Sequence, residues 1–333
     1  MGAPVRFVIV GSGNIASTYV GVLRKVASAS LAGVVSRSLK RPASLGQGEQ
    51  VEVRRALGEI RSDFQAVILA TPNGLHHEGA VEAAGLGKHV LSEKPLEISL
   101  PACDAIIDSC RKNRVKLGVC FQRRMSPDNA AVKRLIDEGR LGRIYAADLA
   151  VKFYRQQSYY DSAAYRGTWA IDGGGPFMQQ ASHQVDLYSW MFGKPERAKS
   201  LIGTLGHRME AEDHGAALLQ HPGGMIGTIV ASTVARPGFP GRLEIHAEAG
   251  SITMENDLVT RWLVEGLENP SKPPAAAIHS GAASAAVADT SGHEAILADF
   301  IAAIREDREP AVTGESARQT TELVLSIYGA SRK

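Results

Sequence analysis

Val5-Arg6-Phe7-Val8-Ile9-Val10 runs straight into Gly11-Ser12-Gly13-Asn14-Ile15-Ala16, and this stretch decides the fold of the first part of the chain. The opening six residues are mostly apolar without strict alternation, which suits a parallel strand covered on both faces. The next six fit G-x-G-x-x-A, after which Ile15, Tyr19, Leu23 and Val26 repeat at helical spacing. Gly11 permits the tight turn, Gly13 lets backbone approach a pyrophosphate, and Ala16 keeps helix and strand close. The N–H groups of the helix start, where Asn14 and Ile15 stand, offer partial positive charge to phosphates. Strand, motif and helix together predict dinucleotide binding.

Further strand-like runs follow at residues 31–36, 64–71, 88–92 and 115–121, separated by helical patterns. One such helix is capped by Ser99, contains Ile106 and Cys110, and ends near Asn113. This βαβα order predicts a doubly wound parallel sheet over residues 1–122. Beyond it the pattern changes. A helix over 128–138 should stop at Gly139. Ala147, Leu149, Val151 and Phe153 then alternate, as do residues 225–234, 242–248 and 258–264, and Pro222-Gly223-Gly224 reads as a hairpin turn. Residues 123–333 are therefore expected to form an α+β domain with an open, mostly antiparallel sheet. Residues 268–292, rich in Pro, Ala, Ser and Gly, read as a surface loop. Two helices carrying Ile296, Phe300, Ile304 and then Leu323, Val324, Ile327 close the chain and could return to the first domain.

The 333 residues are 44% hydrophobic and 22% charged with a net charge of +2, which gives no footprint for nucleic acid or an anionic membrane. No apolar run approaches the roughly 20 residues of a membrane span. Cys103, Cys110 and Cys120 lack metal-ligand spacing, so no metal is expected, and a reducing cytoplasm is the expected location.

Twenty residues past Ala16, where an acid would bind the ribose hydroxyls of NAD, stand Ser36 and Arg37, with Lys40 and Arg41 nearby. An acid would repel a 2′-phosphate, whereas a hydroxyl and a guanidinium accept one, so NADP is expected over NAD. The alternative is a solvated basic loop. Thr71-Pro72-Asn73 ends another strand at the crevice ahead of His76, so these four residues are expected on the cofactor side, where Asn73 either touches the nicotinamide or caps a helix. Glu93-Lys94-Pro95 ends the next strand, because Pro95 cannot donate to a ladder; Lys94 is left at the rim where ligands bind.

In the second half, Gly173-Gly174-Gly175-Pro176 precedes an apolar stripe of Met178, Ala181, Val185, Tyr188 and Phe192, predicting a helix from Pro176 to Gly193. Gln179, His183, Asp186 and Trp190 form a polar strip beside it. Alcohol oxidation requires a base, and His, near pKa 6.5, needs far less tuning than Lys, which starts at about 10.4. His183 is the expected base and Lys94 the group that polarises or relays from the reacting oxygen.

These residues resemble the glucose–fructose oxidoreductase/inositol dehydrogenase (Gfo/Idh/MocA) family. The resemblance runs from Gly11–Ala16 through Ala70-Thr71-Pro72-Asn73, the 87–95 segment ending Glu93-Lys94-Pro95, Gln122-Arg123-Arg124, and Gly173–Gly175 with His183 and Asp186, to Asp299-Phe300-Ile301. It implies a Rossmann domain, a second domain whose sheet serves oligomers (a homodimer or homotetramer), and NAD(P)-dependent chemistry on sugars, nucleotide-sugars or cyclitols. Its lysine maps to Lys94 and its acid/base histidine to His183, and Glu93 and Gln122 are expected on the cofactor side. Arg123, Tyr160, Trp169 and Gln179 are candidates for the substrate wall, although Tyr160 and Trp169 could equally be core or interface aromatics. Asp186 either lines the site, orients His183 or serves structure. Tyr159-Tyr160, Arg166-Gly167-Thr168-Trp169 and Asp172-Gly173 look most like members acting on nucleotide-linked amino-sugar uronates. Gln179 departs from the pattern, since many members carry Asp, or Asn, four residues before the histidine, and Gln cannot act as a base. The alternatives are a non-catalytic NAD(P)-binding regulator or a reductase of aromatic or tetrapyrrole substrates on the same fold.

Overall fold

In the computed structural model the opening strand is β1 (Val5–Val10), and the glycine turn leads into α1 (Asn14–Lys25). Residues 2–46, 48–271 and 289–331 are described. β2 (Ala29–Val35), β3 (Glu52–Arg54), β4 (Ala66–Leu69), α2 (His76–Gly85), β5 (His89–Ser92), α3 (Leu100–Lys112) and β6 (Leu117–Val119) follow. The six strands pair in the order β3-β2-β1-β4-β5-β6, every pair parallel, which is the order of a dinucleotide-binding doubly wound sheet. Phe7, Val8 and Ile9 are fully buried, each contributing on the order of 1.5–3 kcal/mol. Ser99 Oγ accepts from Ala102 N (3.3 Å), the cap expected for α3. β3 was not anticipated: three half-buried residues at a sheet edge, two of them charged, carry no apolar period.

The second unit contains α4 (Pro127–Asp137), β7 (Ile144–Lys152), α5 (Gln157–Asp161), α6 (Ser182–Phe192) and six further strands. These are β8 (Arg197–Gly203), β9 (His214–Gln220), β10 (Ile226–Ser232), β11 (Arg242–Ala247), β12 (Gly250–Glu255) and β13 (Leu258–Val264). The seven strands pair in the order β13-β12-β11-β7-β10-β9-β8, antiparallel except for β7 with β10. One face is core: Ala147, Leu149, Val151, Ile229 and Ile245 pack with Val185 and Tyr188 of α6. The other leaves Leu201 82% and Leu218 50% exposed. β9 and β10 meet through Pro222–Gly224, with Gly223 at φ 77°.

The expected helix start at Pro176 is corrected: residues 176–181 are turns and α6 begins at Ser182. The Gly175 and Phe177 N–H groups donate to the Glu212 carboxylate (2.9 and 3.4 Å), and Ala181 N donates to Pro176 O, five residues back rather than four (2.8 Å), so the regular ladder starts only at Ser182. The C-terminal end is as expected, with Gly193 closing α6 at φ 72°.

Two helices end the chain, α7 (Ser291–Glu306) and α8 (Gly314–Ser331). The first compact unit comprises Met1–Gln122 and Ala286–Arg318, the second Arg123–Ala285 and Gln319–Lys333. Within the first, Phe300 of α7 covers Gly118, where an added Cβ would lie 2.8 Å from the ring. Most of the 268–292 segment expected as a surface loop lies outside the described residues. No helix among the described residues is long and apolar enough to cross a membrane.

Candidate active site

The turn after β1 is shaped for a phosphate. Gly11 sits at φ 125°, and a Cβ there would lie 2.3 Å from the Ala70 carbonyl oxygen, so only glycine fits. At Gly13 an added Cβ meets nothing within 4 Å, which leaves the backbone open to a ligand. Gly13 is also the N-cap of α1; no side chain caps it and the first turn holds no acid. The first-turn amides have no intrahelical partner and stand at the positive end of the helix dipole. These residues fit a dinucleotide pyrophosphate.

At the end of β2, Ser36 is buried with its Oγ 3.1 Å from Ser12 Oγ and 3.3 Å from Ser38 Oγ. Arg41 is committed to its own loop, donating to Glu49 O (2.9 Å). The exposed Arg37 guanidinium has no hydrogen-bond partner among the described residues, and only its carbonyl is engaged, by Arg55 (2.9 Å).

Two cofactor-side expectations need revision. His76 is fully buried, its Nδ1 2.9 Å from Pro95 O and its Nε2 3.1 Å from Thr71 O, so its ring braces the Lys94-Pro95 turn against the end of β4 rather than facing a ligand. Asn73 opens a 3-10 turn, and Leu75 rather than Asn73 holds the N-cap position of α2. Thr71 and Pro72 complete this strand end, with Thr71 Oγ1 3.5 Å from Leu75 O.

Beside the half-buried Lys94 lies a buried cluster that spacing alone did not reveal. Glu93 accepts from Tyr19 OH (2.8 Å) and from the Lys94 N–H (3.2 Å). His293 of α7 stands 3.9 Å from Glu93 and meets the Tyr19 ring edge-on at 5.7 Å. Glu93, Cys120 and His293 bring their ligand atoms within 4.8 Å of one another. Burial, then the Glu93 charge, pushes the Cys120 thiol well up, while the Lys94 ammonium pulls it down. Cys120 Sγ points to Gln122 Oε1 (3.7 Å). The Glu93 carboxylate thus holds the Lys94 backbone, and a helix almost two hundred residues further on completes its surroundings.

In the second unit, His183 is half-buried on the first turn of α6. Gln179 precedes that helix and donates from Nε2 to Asp172 O (2.8 Å). Asp186 is corrected as a substrate residue. It is fully buried and accepts from Arg124 Nε (2.8 Å), Arg124 Nη2 (2.6 Å) and Thr320 Oγ1 (2.8 Å), with the Arg124 guanidinium 5.5 Å from the Trp190 ring. Tyr160 is likewise structural: it is buried, with its OH 2.8 Å from Thr233 Oγ1. Arg123 pairs with Asp257 (2.7 Å), and the half-buried Trp169 packs edge-on against Tyr328 at 5.0 Å.

Glu212, buried beneath the triple glycine, went unnoticed in the sequence. It accepts from Tyr328 OH (2.8 Å) besides Gly175 and Phe177, and burial pushes its carboxyl up to about 7. A Cβ on Gly174 would lie 2.2 Å from Tyr328 OH, and one on Gly175 1.7 Å from Glu212 O. The glycines are there for close packing.

Residues 5–121 match the model of the Gfo/Idh/MocA oxidoreductase family NAD-binding Rossmann fold, and residues 129–253 that of its C-terminal domain. The WlbA dehydrogenase of Bordetella pertussis, solved in complex with NADH and UDP-GlcNAcA, is 30% identical with a TM-score of 0.86, covering 99% of this chain and 97% of its own. Inositol 2-dehydrogenase of Rhizobium meliloti is 24% identical over 276 residues, 81% of each chain. The 1,5-anhydro-D-fructose reductase of Ensifer adhaerens is 25% identical over an alignment of 344 positions, gaps included, covering 98% of this chain and 96% of its own.

Proposed function

The chain belongs to the Gfo/Idh/MocA family of NAD(P)-dependent oxidoreductases, and on that premise we propose that it oxidises a secondary alcohol of a nucleotide-linked amino-sugar uronate. The observation that carries this reading is the end-to-end likeness, at 30% identity, to a dehydrogenase solved with UDP-GlcNAcA. Relatives named for inositol and for 1,5-anhydro-D-fructose support the broader class, oxidoreductases of CH–OH groups.

Bound nicotinamide supplies the hydride acceptor. Gly11, Gly13, Asn14 and Ile15 hold the pyrophosphate through backbone, and Thr71, Pro72, Asn73, Glu93 and Gln122 belong to the strand ends on that side. Ser36 and Arg37 favour NADP, a choice supported by the unpaired guanidinium and by the absence of an acid at that position. His183 takes the hydroxyl proton through an imidazole nitrogen. Lys94, its backbone fixed by Glu93 and by the His76 brace on Pro95, is the group that polarises a substrate oxygen and steadies its developing charge. Gln179 and Trp169 contact the sugar. The exposed sheet face with Leu201 and Leu218 supports a homodimer or homotetramer, and three buried free thiols suit a reducing cytoplasm.

The test is reduction of NADP and NAD, followed by absorbance, with UDP-GlcNAcA, UDP-GlcNAc, inositols and free sugars. Lys94→Ala and His183→Asn should each lower kcat by roughly 10²- to 10⁴-fold while NADPH binding is retained. Full activity in either variant removes that residue from the chemistry. Turnover of cyclitols but not of nucleotide-sugars rejects the substrate class.

A further inference from the structure

We propose that Arg166, stacked on Tyr159 in the second unit, is the docking point for an oxyanion of the substrate. The parallel strands β7 and β10 continue past the sheet together: Phe153 N donates to Ser232 O and Arg155 N to Thr233 O, both at 2.9 Å. The segments leaving that end of the sheet carry Tyr154, Arg155 and Arg236, and after α5 come Tyr165 and Arg166. The Arg166 guanidinium carbon lies 4.2 Å from the Tyr159 ring centroid and 5.7 Å from that of Tyr165. Arg155 stands 5.7 Å from the Tyr159 ring, and Arg236 4.5 Å from that of Tyr154.

No carboxylate among the described residues forms an ion pair with Arg166 or Arg236, although acids are close by. Asp161 accepts from Gln157 (2.9 Å) and stands 3.9 Å from Arg208, Glu210 accepts from Trp169 N (3.2 Å), and Asp172 accepts from Gly167 N (2.8 Å). The Arg166 Nε is buried and has no acceptor among the described residues. Buried N–H groups normally have partners, and a guanidinium stacked on rings is held with its fork ready for a planar or tetrahedral anion. The Arg166 Nη groups also make no hydrogen bond to the described residues, and it is on these that an anionic ligand docks.

The same stretch connects to the expected reacting end of the unit. Gly167, next to Arg166, donates to the Asp172 carboxylate, and the Asp172 carbonyl accepts from Gln179 Nε2, four residues before His183. An anion on Arg166 is therefore two hydrogen bonds removed from the turn that presents His183. This rests on the nucleotide-sugar reading above, whose substrates carry two such groups, the uronate carboxylate and the diphosphate. Arg–carboxylate and Arg–phosphate recognition share the same forked geometry.

The experiment compares wild-type protein with Arg166→Gln and Arg166→Lys. Calorimetry measures UDP, UDP-GlcNAcA and UDP-GlcNAc binding with NADPH present, and kinetics give KM and kcat for UDP-GlcNAcA. Arg166→Gln should weaken UDP-GlcNAcA binding and raise its KM by roughly 10- to 100-fold at nearly unchanged kcat. The lysine variant should recover only part of this, because it keeps the charge and loses the fork. If the carboxylate docks, the variant loses the wild-type preference for UDP-GlcNAcA over UDP-GlcNAc while UDP binds as before. If the diphosphate docks, all three ligands weaken alike. Unchanged affinities for all three, or a fall in kcat with constant KM, overturn the proposal. Wild-type protein that binds none of the three while oxidising an uncharged sugar overturns instead the reading beneath it.

Discussion

Replacing Glu212 with glutamine changes one atom in the packing under the triple glycine and removes one titration. The Glu212 carboxyl is 2% exposed, and burial pushes it from 4.5 up to about 7 despite donors from Tyr328, Gly175 and Phe177. A carboxyl that titrates higher in the folded protein than in the unfolded chain leaves the native state holding more protons between those two values. Stability is then greatest below about pH 4.5 and falls as pH rises towards 7. At 1.36 kcal/mol per pH unit the fall is on the order of 3 kcal/mol. Trp169, Trp190 and Trp262, the chain's three tryptophans, all lie in the second unit, so their fluorescence reports its unfolding. Denaturant midpoints at pH 5, 6, 7 and 8 should show wild-type protein losing stability relative to Glu212→Gln by about 2.5 kcal/mol across the series. Parallel pH profiles for the two proteins would refute the assignment, because the substituted position has nothing left to titrate.

Gly175→Ala sets a Cβ 1.7 Å from a backbone oxygen, and the resulting shift of the turn should lower both kcat and the tryptophan-detected unfolding midpoint. Asp186→Asn leaves the Arg124 guanidinium buried without its counter-charge, which should cost about 3–5 kcal/mol in denaturant unfolding. Arg37→Asp should shift the ratio of kcat/KM for NADP over NAD by tenfold or more towards NAD, measured with one sugar substrate. Tyr19→Phe removes a 2.8 Å hydrogen bond to a buried carboxylate and should cost on the order of 1.5–3 kcal/mol in thermal unfolding, with the proton-transfer step altered only through Lys94.

What the sequence revealed was whatever is encoded locally. The β1 turn needs glycine for reasons confined to six residues, and the alternation of 147, 149, 151 and 153 states directly which face of β7 is core. Strands β8 and β12 escaped because their core-facing sides are short: Ala198 and Ile202 flank Ser200 in β8, and β12 offers only Ile252 and Met254. The helix start failed for a different reason. Pro176 and the apolar stripe are sound helix signals, yet Ala181 N bonds back to Pro176 O, five residues away, and the regular ladder starts only at Ser182. Asp186 and Tyr160 looked available because polarity is visible in a sequence, whereas Arg124, Thr320 and Thr233, which engage them, are distant along the chain. His76 looked like a ligand residue for the same reason.

The first unit is discontinuous, closing only when α7 lays Phe300 over Gly118. A ribosome therefore releases about 300 residues before that sheet receives its last cover. Until then β5 and β6 present apolar surface that a chaperone or another nascent chain can bind. A fragment ending at Gln122 should accordingly aggregate when expressed alone, and supplying residues 286–318 as a separate peptide should restore its solubility.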